Sequence, residues 1–219
     1  MFRPAAPGLA LAFAAVLTTC AGACLAAAAP DILKEWDSIR PPPAPAIQPV
    51  TIDPRRTAFF AVSFNKNNCI PQDRARCAAV IPNVRRLLEQ ARAHRMPVVM
   101  TYTRRMTPAD IVPELAPIAG EIVFQGEEDK FHNNRLGEDL RARGIDTILL
   151  TGTFANGGLL LTATGAALRG FKVVVPIDTM PAATAYQEQF AIWQIATEGV
   201  FQNEGLAALT RSDLVRFAP

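Results

Sequence analysis

The segment TILLTGTFANGGLLLTATGAALRGFKVVVPIDTM, residues 147–180, carries the pattern that decides the fold. Thr147–Thr151 is an apolar, β-prone run that ends at Gly152, and Leu159–Arg169 has the composition of a helix that stops at a glycine. The next run, Phe171–Pro176, is rich in valine and predicts a second strand. A strand, a helix and a strand in this order predict a parallel β-α-β unit.

The same alternation continues on both sides of this segment. Further strands are predicted over Thr57–Phe64, Pro97–Thr103 and Glu121–Gln125, helices over Ala79–His94, Leu136–Arg143 and Ala185–Glu198, and an edge strand from Val200 onward. This order predicts an α/β fold of three layers, α/β/α, around a doubly wound, mostly parallel sheet of five to six strands. Ligands bind such sheets at the carboxyl ends of the strands, so the residues that follow each strand are the candidates for a site.

Composition agrees with one globular domain, residues 51–219, preceded by shorter segments. Of the 219 residues, 50% are hydrophobic and 19% are charged, which is enough apolar material for a core. The net charge is +2, with 22 basic and 20 acidic residues interspersed and no basic stripe. Nucleic acid is therefore not expected as a partner.

Residues 1–29 have the layout of a secretory signal peptide. Met1–Arg3 supply a positive start, Leu9–Leu17 form a short apolar run, and alanine-rich sequence follows. This predicts a secreted or periplasmic protein with no membrane span after cleavage, because the apolar run is too short for a comfortable transmembrane helix. An uncleaved anchor remains an alternative, as does lipid attachment through Cys24 or, at a weaker site, Cys20.

Residues 30–50 form a proline-rich N-terminal arm, in which Pro41–Pro43 favour an extended backbone. Removal of the leader leaves two cysteines, Cys69 and Cys77, separated by seven residues. An oxidising compartment allows a disulfide between them, which we predict, with two separate thiols as the alternative.

Two stretches carry a family resemblance: RTAFFAVSFNKNNC, residues 56–69, and the segment 147–180 quoted above. They resemble the first strand, and the central strand with its following helix and strand, of the isochorismatase-like hydrolases, a superfamily that includes nicotinamidases and other cysteine hydrolases. The resemblance implies an Asp base after the first strand, a Lys on a middle strand and a Cys nucleophile at the start of the helix. It also implies self-association as a homo-oligomer and no cofactor.

This sequence departs from the family pattern at the catalytic positions. The Asp position falls on Ser63 and the Cys position on Gly158, while the Lys position falls on Gln125 without gaps or on Lys130 with a gap. True isochorismatases also have Gly in place of Cys, but they protonate the substrate with the Asp, and a serine hydroxyl is a poor general acid. We therefore expect neither a carboxyl group nor a sulfur at the place where this architecture breaks bonds.

The remaining polar residues at the strand ends are candidates for ligand binding. Asn65 follows the first strand, and Asn156, Gly157 and Gly158 begin a helix whose free N–H groups suit an anion. An ordinary helix with Asn156 as its N-cap is the alternative.

A metal site is not expected, because the two histidines, His94 and His132, lie on different segments without carboxylates that the sequence places nearby. Asp178 is expected to hold a loop in place rather than to act in catalysis. Two functions remain open. One is a non-catalytic protein that binds a small polar molecule; the other is a divergent hydrolase of a small amide, ester or vinyl ether that uses Ser63 and Lys130.

Overall fold

The structure is a computed structural model that describes residues 29–219, so the predicted leader up to residue 28, including Cys20 and Cys24, lies outside the described part. The chain divides into two compact units, one ending at Pro42 and the other spanning Pro43–Pro219. In the first unit a short helix, α1 (Ile32–Glu35), begins after Asp31, whose side chain accepts the Leu33 N–H at 3.1 Å. A 3-10 turn over Trp36–Ser38 follows it.

The second unit alternates strands and helices. Its elements are, in chain order, β1 (Val50–Ile52), β2 (Thr57–Val62), α2 (Ala75–Ala93), β3 (Val98–Tyr102), β4 (Ile122–Gln125), α3 (Leu136–Ala142), β5 (Thr147–Gly152), α4 (Leu160–Leu168), β6 (Lys172–Pro176), α5 (Ala185–Thr197), α6 (Gly199–Gln202), β7 (Ala207–Thr210) and β8 (Val215–Phe217).

Six of these strands form one parallel sheet in the order β4-β3-β2-β5-β6-β7. The central pair is β2 and β5, in register from Thr57 with Thr147 to Val62 with Gly152. The doubly wound, mostly parallel sheet predicted from the sequence is thereby confirmed. The strand order reverses between β2 and β5, and a crevice for ligands is expected where these two strands end.

Helices cover both faces of the sheet, which confirms the three layers. Phe60 and Ile148 belong to the core beneath α3, α4 and α5, whereas Phe59 and Leu149 belong to the core beneath α2. This division follows from the strand backbone, since successive side chains point to opposite faces. Both faces of the two central strands are therefore buried, as their continuous apolar runs indicate.

Three details differ from the sequence prediction. Helix α2 begins at Ala75, earlier than predicted, and the segment from Val200 first completes the helix α6 before it gives the predicted edge strand β7. A two-stranded parallel sheet of β1 and β8 was not predicted, because three-residue strands are too short for a periodic pattern to reveal them.

The predicted disulfide between Cys69 and Cys77 is present. It closes a ring between the loop after β2 and the first turn of α2. No helix among residues 29–219 has both the length and the apolar character that a membrane crossing demands.

Candidate functional site

Ser63 lies immediately after β2, at the carboxyl end of the central strand pair. Its backbone adopts the left-handed region with a φ of 56°, which is uncommon for a residue other than glycine. The residue is buried, its N–H donates to the Thr101 carbonyl at 3.1 Å, and its Oγ lies 3.4 Å from the Thr101 hydroxyl. No residue pattern indicated this backbone conformation, which is of a kind that concentrates at functional sites.

Lys130 reaches the same region from a loop beyond β4, and α4 holds that loop in place. The Thr162 hydroxyl on α4 donates to the Glu128 carbonyl at 3.2 Å and lies 3.4 Å from the Lys130 N–H. The Asp129 carboxylate packs where Gly165 has no side chain, and it pairs with Arg169 at 3.5 Å. Residues 128–130 are therefore anchored at successive turns of one helix.

The Lys130 side chain is buried rather than solvated. The residue is 2% exposed, and its ammonium donates to the Glu127 carbonyl. Burial lowers the pKa of Lys130 from its ordinary value, and the nearby carboxylates of Glu128, Asp129 and Glu127 oppose that shift without cancelling it. The interior position distinguishes Lys130 from an ordinary surface lysine.

Gly158 lies beside Lys130. A Cβ atom built on Gly158 would lie 3.4 Å from the Glu128 Oε2 and 3.6 Å from the Lys130 Nζ. The three heavy atoms nearest to that point belong to these two residues. Gln125, the other candidate for the Lys position, is exposed at the end of β4.

A cavity of about 170 Å³ lies at the ends of β2 and β5, and its lining includes Lys130 but not Gly158. It brings together Ser63, Gln125 and Lys130, although no hydrogen bond joins Lys130 to Ser63 within the described part of the chain. Ser63 supplies no carboxyl group to this cavity, but two exposed acidic residues of the run before Lys130, Glu127 and Glu128, lie at its border. The residues that line this cavity are Ser63, Asn68, Thr103, Arg104, Gln125, Gly126, Glu127, Glu128, Lys130, Thr153 and Phe154.

Two buried polar atoms near this cavity have no hydrogen-bond partner in the described structure, Asn65 Oδ1 and Thr153 Oγ1. Thr153 lines the cavity, whereas Asn65, a predicted ligand-binding residue, does not; its amide donates to Thr103 at 3.0 Å. Asn68, which belongs to the same asparagine cluster after β2, lines the cavity and donates to the Ser63 carbonyl at 2.9 Å.

Asn156, Gly157 and Gly158 line a second, more open cavity of about 400 Å³. They belong to the π-helical turn Ala155–Leu159, which is kinked by non-helical backbone at Gly157. Phe154 holds its N-cap position, so the alternative of Asn156 as an N-cap is wrong. Glu128 and Phe154 line both cavities. The full lining is Arg74, Glu128, Phe154, Asn156, Gly157, Gly158, Leu161, Ala183 and Gln187.

The histidines lie apart from these cavities. His94 stacks on Phe217 with ring centroids 4.9 Å apart, and His132 is exposed. Across residues 29–219 no group of three or more metal-binding side chains comes together. Asp178 has a structural position, because it accepts the Ser212 N–H at 2.8 Å and the Ser212 hydroxyl at 2.7 Å.

Comparison with known proteins agrees with this architecture. The Isochorismatase domain family matches residues 57–203. N-carbamoylsarcosine amidase of Arthrobacter sp is 30% identical over 46% of this chain and 49% of that protein. A protein described as secreted isochorismatase effector Isc1, of Verticillium dahliae, is 32% identical over 45% of this chain and 58% of that protein. The chain thus spans about half the length of these curated relatives.

Solved structures share the fold. A cysteine hydrolase from Pseudomonas syringae pv. phaseolicola superposes with a TM-score of 0.65 at 22% identity, covering 77% of this chain and 94% of that one. The family match extends over most of the chain, from the start of β2 to the residue after α6. The chain therefore belongs to the isochorismatase family.

Proposed function

We propose that this protein binds a small polar molecule in the cavity at the ends of β2 and β5 and lacks the thiol chemistry of the family's cysteine hydrolases. The observation that carries the proposal is the pairing of Gly158 with a buried Lys130. The cation remains beside the place of the nucleophile, while the nucleophile itself is gone. A glycine offers no atom that can attack a carbonyl carbon.

The position of the family base supports the same conclusion. Ser63 has a hydroxyl in place of a carboxylate, and it is buried against Thr101. A hydroxyl of this kind neither accepts a proton at neutral pH nor donates one readily.

The cavity has the size and polarity of a binding site for a small molecule. Its volume of about 170 Å³ is comparable to that of a cavity that admits benzene. Lys130 supplies an interior cation, and the Thr153 hydroxyl lacks a partner, a deficit that a ligand or an ordered water commonly removes. A small carboxylate or another polar molecule with an acceptor group meets these requirements.

Calorimetric titration with acetate, butyrate and acetamide tests the binding function. We expect the carboxylates to bind the wild-type protein, and Lys130→Met to weaken that binding about tenfold or more, because a charge-assisted hydrogen bond is lost. Lys172→Met, which removes an exposed lysine from β6, is the matched control and is expected to change nothing. Equal affinities in the wild type and Lys130→Met would contradict the proposal.

A divergent hydrolase is the second candidate. It is favoured by the shared cavity of Ser63 and Lys130 and by the burial that lowers the Lys130 pKa, since a lysine so perturbed is a better base than a solvated one. Glu128 adds a carboxylate beside Gly158. No thiol takes part in either route.

A panel of small amides, esters and vinyl ethers separates the two functions. Turnover that disappears in Ser63→Ala but persists in Ser38→Ala, an exposed control, would establish the hydrolase and overturn the non-catalytic proposal. Turnover that survives Ser63→Ala and disappears in Glu128→Gln would assign the reaction to the carboxylate instead. We expect no turnover.

We further propose that the protein is exported. The signal-like residues 1–29, the disulfide between Cys69 and Cys77, and a relative described as secreted all support export. N-terminal sequencing of protein recovered from the periplasm or medium of a bacterial host is expected to begin near residue 30. A lipid-anchored form would instead start at Cys24 and incorporate labelled palmitate that Cys24→Ser abolishes.

A further inference from the structure

The two cavities beside Gly158 share a wall. Glu128 and Phe154 line both the smaller cavity that contains Lys130 and the larger, more open one beside the π-helical turn. The two cavities are therefore adjacent, which is the geometry that one extended ligand requires. The residues that line the larger cavity thus determine which chemical group the far end of such a ligand carries.

Arg74 gives the second cavity its own cation. Its guanidinium lies over the Phe154 ring, 5.0 Å from the centroid, and forms no ion pair within residues 29–219. By contrast, the nearby Arg76 pairs with Glu188. A guanidinium stacked by its face keeps its N–H edge available for the two oxygens of a carboxylate.

We propose that the two cavities form one bipartite site for a small dianionic molecule, with one acidic group at Lys130 and the other at Arg74. This inference rests on the binding function proposed above. Gln187 lines the far cavity as well; its amide oxygen accepts the Thr184 N–H at 3.1 Å, which leaves its amide N–H groups as donors. Arg74 and Gln187 thus supply hydrogen-bond donors at the far end of the site.

Glu128 restricts the middle of the ligand. A carboxylate in the shared wall repels a negative charge placed there and accepts a hydrogen bond from a hydroxyl or an amide N–H. The ligand class that fits has acidic groups at both ends and a neutral or hydrogen-bond-donating centre.

The disulfide places Arg74 in this arrangement. Arg74 lies within the ring that Cys69 and Cys77 close, immediately before α2 begins at Ala75. Asn68, immediately before the ring begins at Cys69, donates to the Ser63 carbonyl and lines the first cavity. One short cross-linked loop therefore contributes a residue to each half of the site.

Calorimetric titration with dicarboxylates from succinate to suberate, and with butyrate as the monocarboxylate, tests the inference. We expect one chain length to bind about 10- to 100-fold more tightly than butyrate, because the second carboxylate gains a charge-assisted pair. Arg74→Ala is expected to remove that advantage and to leave butyrate binding unchanged. Arg143→Ala removes an exposed arginine that lines neither cavity and is the control of equal charge.

Each outcome has one meaning. A dicarboxylate advantage that persists in Arg74→Ala, or in Arg74→Gln should the alanine variant fail to fold, overturns the bipartite site. Butyrate binding that Lys130→Met abolishes, without any advantage for a dicarboxylate, overturns the bipartite site and leaves the proposed function standing. If none of these acids binds, both the bipartite site and the proposed binding function are overturned for carboxylate ligands.

Discussion

The ammonium nitrogen of Lys130 lies 3.6 Å from the position that a Cβ atom on Gly158 would occupy. The Glu128 carboxylate lies 3.4 Å from the same point. Both separations are ordinary van der Waals contacts, so a small side chain fits at residue 158 between a cation and an anion. In the proposed function, Lys130 is the cation beside the residue that the resemblance aligns with the family's cysteine.

Gly158→Cys is expected to fold and to place a thiol beside Lys130. The neighbouring ammonium favours the thiolate, so iodoacetamide should modify this variant faster than Gly158→Cys/Lys130→Met at the same pH. The variant alone is expected to hydrolyse no amide, because Ser63 supplies no base. The double variant Ser63→Asp/Gly158→Cys restores both the carboxylate base and the thiol. Aspartate tolerates the left-handed backbone at residue 63. Equal alkylation rates with and without Lys130 would refute the proximity argument.

Lys130 should make the free energy of unfolding depend on pH in the alkaline range. Because burial lowers its pKa in the folded state, the unfolded chain binds more protons between the lowered pKa and the ordinary value of 10.5. The free energy of unfolding should therefore rise as pH increases through that interval. In Lys130→Met this rise should be missing, and in Lys172→Met it should remain, as measured by urea unfolding at a series of pH values.

Removal of the disulfide should destabilise the protein. Replacing Cys69 and Cys77 together by alanine is expected to lower the free energy of unfolding by about 2–3 kcal/mol, since the open ring restores entropy to the unfolded chain. Wild-type protein unfolded in a reducing agent should show the same loss of unfolding free energy. The unfolding free energy of the double variant should not change when reductant is added. A wild-type midpoint that does not move on complete reduction would contradict this account.

Asp178 should matter for stability and not for binding. Its carboxylate accepts two hydrogen bonds from Ser212 and one from the Asn83 amide at 3.2 Å, so it joins the end of β6 to α2 and to the segment after β7. Asp178→Ala is expected to cost about 2–4 kcal/mol by leaving these donors unpaired. Asp213→Ala, at an exposed neighbouring acid, is the control and should cost little.

Self-association remains a prediction, and α5 offers a surface for it. Tyr186, Phe190 and Trp193 recur at helical spacing on this helix, and all three are exposed. We expect light scattering to give the mass of a dimer or larger assembly for the wild type and of a monomer for Phe190→Glu/Trp193→Glu. Ile118→Glu, at another exposed apolar residue, should leave the mass unchanged; a monomeric wild type would contradict the prediction.

Much of the fold was readable in the sequence because its signals are local. The buried strands β2 and β5 are continuous apolar runs, and turn residues mark where each stops. Ser63 and Gly158 were located correctly at strand and helix ends because their distance from those elements is fixed by a few residues.

The arrangement of the site was harder to predict from the sequence, because it depends on contacts between segments that are distant along the chain. Lys130 lies five residues beyond β4, and contacts of its loop with α4, including the hydrogen bonds to Thr162 and the ion pair of Asp129 with Arg169, bring it back to Gly158. Nothing in the sequence pattern placed Glu128 at the site, although it lines both cavities. Arg74 gave no signal at all, since its partner is an aromatic ring eighty residues away in the sequence.

The pairing of β1 with β8 bears on how the domain matures. Val50, near the start of the second unit, lies in register with Val215, which follows every other strand and helix of that unit. During synthesis the first strand has no partner until the last one has emerged, so the small sheet forms last. Under the export proposed above, this pairing would be completed only after the whole unit has been translocated.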